Sequence, residues 1–178
     1  MTPTRSTLPS PPCLLLVAGL PGSGKTTFAR ALAQQLNWPH LNTDLVRIEL
    51  GLQGCYDAGS KETVYRTLLQ KAEALLSEGS NVILDSTFYR REVRTPFLQM
   101  AARHACRPLW IWVEAAEEAI RRRMGTERPY SEADFSVYQK LKNELEPLEE
   151  PHLTLRSDQL EPADMIGRAL SYLQKTTV

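Results

Sequence analysis

Lys25 and Thr26 close the run Gly19-Leu20-Pro21-Gly22-Ser23-Gly24-Lys25-Thr26, which fits the pattern G-x-x-x-x-G-K-[ST]. The chemistry such a run serves is the holding of a polyphosphate. Its glycines let the backbone turn tightly, so that successive N–H groups and a helix N-terminus aim at one anion. The Lys25 ammonium would reach the β- and γ-phosphates of a nucleoside triphosphate, and the Thr26 hydroxyl would ligate Mg²⁺. A second candidate is the carboxylate that ends Asn81-Val82-Ile83-Leu84-Asp85. An apolar strand ending in aspartate, downstream of a phosphate loop, places Asp85 to hold the same Mg²⁺ directly or through water.

Two further groups carry charge in useful spacings. In Thr43-Asp44-Leu45-Val46-Arg47 a carboxylate and a guanidinium stand one helical turn apart on one face. Asp44 could take the proton from an acceptor hydroxyl, and Arg47 could hold the acceptor or the transferring phosphoryl group. The plainer alternative is that Thr43 or Asp44 merely caps a helix. The other group is Arg121-Arg122-Arg123 followed by Arg128. Three successive arginines cannot share one helix face, so at most one or two of them point into a site. Gly125 and Pro129 bracket a segment able to move as a lid, whose arginines would neutralise charge on a phosphoryl group in transfer. A basic helix end that complements its dipole is the alternative.

These residues need a scaffold, and the hydrophobic pattern supplies one. Cys13 to Ala18 reads as a buried strand entering the loop, and Thr27 to Leu36 as a helix leaving it, with Ala29, Leu32, Ala33 and Leu36 inward. A short strand at His40-Leu41-Asn42 and a helical turn from Thr43 follow. A glycine-containing loop over 51–60 precedes a long helix with Val64, Leu68, Ala72, Leu75 and Leu76 buried and Gly79 as its stop. A helix after Asp85 carries Arg90, Arg91, Arg94, Arg103 and Arg107, either a solvated face or a docking face for an anion, with Pro96 starting or kinking it. Phe97, Met100 and Ala101 read as core. Leu109 to Val113 is a strand buried on both faces. A short helix runs from Ala115 to about Met124. A helix capped by Ser131-Glu132-Ala133-Asp134 would run through Phe135, Tyr138, Leu141 and Leu145 to Pro147 and Pro151. A strand at His152 to Leu155 and a helix opened by Pro162 close the chain. The alternation gives a three-layer α/β sandwich around a mainly parallel sheet.

Composition agrees with this reading and narrows it. The chain has 178 residues, enough for one substantial core, with Met1 to Pro12 read as a disordered tail and 13–178 as the folded domain. Twenty-one basic residues balance 21 acidic ones, so no global field draws the chain to nucleic acid or to an anionic membrane. Cys13, Cys55 and Cys106 are an odd number without metal-ligand spacing, which fits free thiols in the cytoplasm. No apolar run has the length of a membrane span. The apolar stretch near the N-terminus leads straight into the phosphate loop, so it is not read as a cleaved signal.

With GLPGSGKTT at Gly19 to Thr27, TDLVR at Thr43 to Arg47, VILDSTF at Val82 to Phe88 and the arginine-rich lid, the chain resembles small P-loop kinases of the "predicted kinase", AAA-type ATP-binding group. That group is similar to polynucleotide 5′-hydroxyl kinases and chloramphenicol phosphotransferase, and more distantly to zeta toxins and gluconate kinase. The resemblance covers roughly residues 13 to 158. It implies a P-loop sandwich with a five-stranded sheet ordered 2-3-1-4-5 and a mobile lid. It implies ATP and Mg²⁺ as cofactors, with Gly19, Leu20, Pro21, Gly22, Ser23, Gly24, Lys25, Thr26 and Thr27 on the nucleotide and Thr26 and Asp85 on the metal. Asp44 becomes a general base and Arg47 an acceptor or phosphate ligand. Arg123 and Arg128 become lid residues on the nucleotide and phosphoryl group, with Arg122 an alternative to Arg123 because the spacing departs from the family's.

The expected activity is ATP-dependent phosphorylation of a hydroxyl on a small molecule. A polynucleotide 5′-hydroxyl is the second choice, since Phe88 and Tyr89 could stack a terminal base. A GTPase would need Asn-Lys-x-Asp and a switch Asp-x-x-Gly, and the sequence has neither. A regulatory nucleotide-binding module without transfer activity is a different class, and it would not need Asp44 and Arg47 beside the site.

Overall fold

The computed structural model describes residues 11–125 and 135–176. Its centre is β1 (Leu14–Ala18), whose five residues have no exposed surface. Alternate side chains of a strand point to opposite faces, so an unbroken apolar run is suited only to a strand covered on both sides. Leu14, Leu16 and Ala18 face one core and Leu15 and Val17 the other. Each fully buried leucine stabilises the fold by about 1.5–3 kcal/mol relative to exposure.

Around β1 the sheet is ordered β2-β3-β1-β4-β5, with β2 at His40–Asn42, β3 at Val82–Ser86, β4 at Pro108–Glu114 and β5 at His152–Arg156. Every pairing is parallel. The sequence reading, a mainly parallel sheet in this order, holds, and no strand among the described residues is antiparallel. Helices α1 (Lys25–Leu36) and α7 (Pro162–Thr176) cover one face, packing Phe28, Leu32, Met165 and Leu173 against Ile83, Ile111 and Leu155. On the other face α2 (Thr43–Glu49), α3 (Ala58–Ser77) and α4 (Arg91–Arg103) supply Val46, Leu68, Phe97 and Met100. The remaining helices are α5 (Glu117–Met124) and α6 (Phe135–Asn143). The register sets Val17 opposite Asp85 and Ala18 opposite Trp112, so the strand ends that carry the loop, the aspartate and the next turns lie along one edge. Ligands bind at that carboxyl edge in open α/β sheets.

Four expectations are corrected. The basic stretch of α4 is a solvated face at Arg91 and Arg103, 64% and 54% exposed, but not at Arg94. Arg94 is 2% exposed and donates to the backbone carbonyls of Pro147 (3.1 Å) and Glu146 (3.4 Å), with Glu150 3.9 Å away. Arg90 pairs with Glu144 at 2.9 Å, Arg91 with Glu149 at 2.7 Å and Arg103 with Glu73 at 2.9 Å. For the same reason α6 does not reach Pro147. It stops at Asn143, because residues 144–150 are drawn off as a strap against α4, with the Glu146 N–H donating to Tyr89 O at 2.8 Å. Pro96 does not start α4, which begins at Arg91, where the Glu146 carboxylate accepts the backbone N–H.

Phe88 is the fourth correction. Its ring is 1% exposed and sits edge-on to Phe97 (5.3 Å between centroids) and Trp110 (5.4 Å), so it cannot stack a base. Its φ of 46° is unusual for a bulky residue and costs on the order of 1–3 kcal/mol, offset by the aromatic packing it permits. The predicted cap over 131–134 and the lid arginine Arg128 lie outside the described residues.

Gly19, the first residue after β1, approaches the neighbouring strand too closely for any side chain. A Cβ there would lie 2.2 Å from the Val113 carbonyl oxygen. Backbone atoms cannot yield as a flexible side chain can, so Gly19→Ala should destabilise by about 1–3 kcal/mol, the usual range for overpacking. Urea unfolding of the two proteins measures this. Equal midpoints would show that the loop leaves β1 with room to spare.

Candidate active site

The site begins where the backbone turns from β1 into α1. Gly24 is the N-cap of α1 at φ 88°, a left-handed conformation that glycine adopts without a Cβ penalty. No side chain caps this helix, so its first N–H groups are left for an incoming acceptor. They open on a cleft of about 710 Å³ lined by Pro21, Gly22, Gly24, Lys25, Thr26 and Thr27. Gly19, Leu20 and Ser23 lie behind the lining and hold the turn, Ser23 N–H donating to Leu20 O at 3.2 Å.

Of the three consecutive arginines, Arg123 reaches the loop. Its guanidinium donates to Gly22 O (3.2 Å), to the Ser157 hydroxyl (2.9 Å) and to Ser157 O (3.0 Å). Ser157 in turn donates to Ser23 O at 2.5 Å. Arg121 points elsewhere, pairing with Glu117 at 3.6 Å and lying 4.0 Å over the Phe135 ring. Ser157 was not legible as a site residue, because a serine after a strand carries no signal of its own.

Asp85 lies at the base of the site with no exposed surface. The Asn42 amide donates to its Oδ2 at 2.7 Å and lies 3.5 Å from the Thr26 hydroxyl. His40 Nε2 is 3.4 Å from the same Oδ2. Burial by itself would raise the Asp85 carboxyl. The close approach of His40 and the charge of Lys25 outweigh it and hold the carboxyl below the usual carboxylate range. Its other oxygen, Oδ1, is buried and has no hydrogen-bond partner among the described residues. An ionised, unpartnered carboxylate oxygen near a threonine hydroxyl suits a hard divalent cation, so these residues fit Mg²⁺. Sequence reasoning missed Asn42 and His40, which precede a helix in a stretch that shows only a short strand.

Asn42 also decides the capping question. Its Oδ1 accepts from Asp44 N (2.7 Å) and Leu45 N (3.0 Å), so the cap of α2 is neither Thr43 nor Asp44. Asp44 and Arg47 both line the cleft that begins at the loop. Arg47 is 8% exposed, donates to Cys55 O and lies 4.6 Å over the Tyr56 ring. Hydroxyls complete this end. Thr43 donates to Ser86 Oγ at 3.2 Å, and the Tyr65 phenol lies 2.7 Å from Ser86 Oγ and 3.3 Å from Thr87 Oγ1. Burial raises the Tyr65 phenol above its ordinary value, which keeps it protonated as a donor.

A family model described as an AAA domain matches residues 14–148. The chain belongs to the AAA domain family. An uncharacterized protein of Mycobacterium tuberculosis is 37% identical over 101 residues, a match covering 50% of this chain and 20% of that protein. The chain thus spans about 20% of the length of the curated relatives it matches. Among solved structures, a sugar kinase from Janibacter sp. HTCC2649 aligns with a TM-score of 0.72 at 22% identity, covering 92% of this chain and 95% of that one. The Mycobacterium tuberculosis APS kinase, in complex with AMPPNP and APS, aligns with a TM-score of 0.72 at 18% identity, covering 94% and 99%. The fold is that of the small P-loop kinases. Among the described residues no helix is long and apolar enough to cross a membrane.

The depressed Asp85 carboxyl has a consequence for folding. A carboxyl that ionises more readily in the folded chain contributes stability that is complete above the ordinary carboxylate range and lost as pH falls through the folded value. Asp85→Asn should therefore flatten the acid side of the stability profile. Urea midpoints in metal-free buffer, measured from neutral pH down to about pH 3, read this directly. An unchanged acid slope in Asp85→Asn would show that the folded and unfolded carboxyls titrate alike.

Proposed function

We propose that the chain is an ATP- and Mg²⁺-dependent kinase that moves the γ-phosphoryl group to a hydroxyl of a small molecule. The observation that carries this reading is the single cleft running from Lys25 and Thr26 to Asp44 and Arg47. A module that only bound nucleotide would need no carboxylate at the far end of its phosphate site. The small acceptor is supported by the names of the fold relatives, a sugar kinase and an APS kinase solved with AMPPNP and APS.

In this reading the loop N–H groups and the Lys25 ammonium hold the β- and γ-phosphates. The Thr26 hydroxyl and the Asp85 carboxylate would hold Mg²⁺, which neutralises phosphate charge when bound. Asp44 accepts the proton of the acceptor hydroxyl as that oxygen bonds to the γ-phosphorus, and the bond from the γ-phosphorus to the bridging oxygen breaks to leave ADP. Arg47 orients the acceptor against Asp44. Arg123, next to the loop, and Arg128 neutralise charge on the phosphoryl group in flight.

A screen of hydroxyl acceptors with labelled ATP tests this. Lys25→Ala should lower transfer at least about a hundredfold, as for loss of a comparable transition-state donor. Asp44→Asn should keep ATP binding and lose transfer, the mark of a group used only in the transition state. A near-normal rate in Lys25→Ala sinks the loop assignment. Lost ATP affinity with intact transfer in Asp44→Asn would make Asp44 a nucleotide or metal ligand. Salt-sensitive labelling of oligonucleotide 5′-hydroxyls, with none of small hydroxyl compounds, would move the acceptor to nucleic acid.

A further inference from the structure

We propose that Lys61 and Arg47 form an anion subsite at the acceptor end of the cleft, and that the acceptor is a small hydroxylated oxyanion. This deepens the kinase reading above and rests on it. The first observation is the charge of the cleft wall. The chain as a whole is neutral, yet the described residues lining the cleft include Lys25, Arg30, Arg47, Lys61, Arg123 and Lys140 against one carboxylate, Asp44. Lys25 and Arg123 belong to the loop and its nucleotide. Arg47 and Lys61 belong to α2 and α3, the helices that wall the other end with Asp44. A single carboxylate cannot neutralise two cations, and the kinase reading reserves it for the hydroxyl proton.

The second observation is how Arg47 is buried. It is 8% exposed, and no carboxylate among the described residues forms an ion pair with it. Among the described residues its contacts include the neutral Cys55 carbonyl and the face of Tyr56, and its Nε–H has no hydrogen-bond partner. Burying a guanidinium without a counter-charge is unfavourable, and an oxyanion arriving in the cleft would remove that penalty while satisfying the spare donor.

The third observation is the position of Lys61. It lies half-buried near the start of α3, its N–H bonded to Asp57 O at 3.0 Å, and its ammonium forms no ion pair among the described residues. The N-cap of α3 is Asp57, whose carboxylate accepts from the Ser60 N–H at 3.0 Å and so covers the helix's own N-terminus, outside the cleft lining. The positive end of α3 is thus answered by Asp57, and the charge that faces the cleft from this helix is that of Lys61. Lys61 and Arg47 line the same concave surface with charge of one sign, which concentrates anions. The hydroxyls of Tyr65, Ser86 and Thr87 alongside it suit an acceptor with several hydroxyl groups.

The shared chemistry is an oxyanion, which a carboxylate or a phosphate ester could supply. The test is calorimetric titration of the whole chain, with its phosphate loop first saturated by Mg²⁺ and AMPPNP. The three probes are D-glucose, D-gluconate and D-glucose 6-phosphate, one neutral, one a carboxylate and one a phosphate ester. At least one anion should bind about tenfold more tightly than D-glucose, equivalent to about 1.4 kcal/mol. The stronger of the two arms identifies the oxyanion. Lys61→Gln should remove that preference, and Lys61→Glu should reverse it; the residue is half-buried on a helix, so both variants should fold. Equal affinities for the three probes, or an anion preference that survives Lys61→Gln, would overturn the subsite. Binding is read without turnover, so that result leaves the kinase reading intact. Lys61-dependent anion binding with no phosphoryl transfer to any acceptor would overturn the kinase reading and leave the subsite standing.

Discussion

A carboxylate sealed inside a parallel sheet is the constraint on which this site depends. Asp85 loses its hydration completely, and a carboxylate without water must find donors or take up a proton. The donors come from different parts of the chain. Asn42 and His40 stand on the neighbouring strand, and the charge of Lys25 comes from the loop helix. Asn42 couples two tasks because an amide has both a donor and an acceptor. Its nitrogen steadies Asp85 while its oxygen caps α2, the helix that carries Asp44 and Arg47. One side chain therefore sets the distance between the prospective metal ligand and the prospective base.

What could be read in the sequence follows from this division. Local signals were legible. The loop pattern, the apolar strands at 14–18, 82–86 and 108–114 and the helical spacing of α3 are properties of neighbouring residues, and the structure reproduces them. The Asp44 and Arg47 pair was legible too, since one helical turn fixes their relation. Contacts between segments far apart in the chain were not. Nothing near Arg94 announces that it will be buried under residue 147, and a periodic apolar stripe through Leu145 gave no sign that α6 would yield its last turn to a strap. Phe88 misled because an aromatic beside a binding edge has the same letter code whether its ring points out or in. Only a left-handed backbone turn, which sequence does not show for phenylalanine, sends it inward.

The same contrast explains the charge distribution. A balanced composition hides a strongly basic cleft, because the acidic residues are spent outside it. Glu73, Glu144 and Glu149 neutralise the outer arginines of α4, and Glu117 holds Arg121 and Lys142 on α5 and α6. Exposed pairs of this kind add little stability individually. Their larger effect is to leave the positive potential concentrated where the phosphates would lie.

The strap over α4 bears on how such a chain tolerates sequence drift. Arg94 grips residues 146 and 147 by their peptide oxygens, groups that every amino acid possesses. The two sides of the contact are thus unequal under mutation. The strap can change many of its letters and keep its path, whereas the arginine beneath it has no ready substitute, since lysine lacks the planar fork that spans two adjacent carbonyls. Variation in homologous chains should therefore collect on the outer surface of 144–150 and thin out abruptly at position 94.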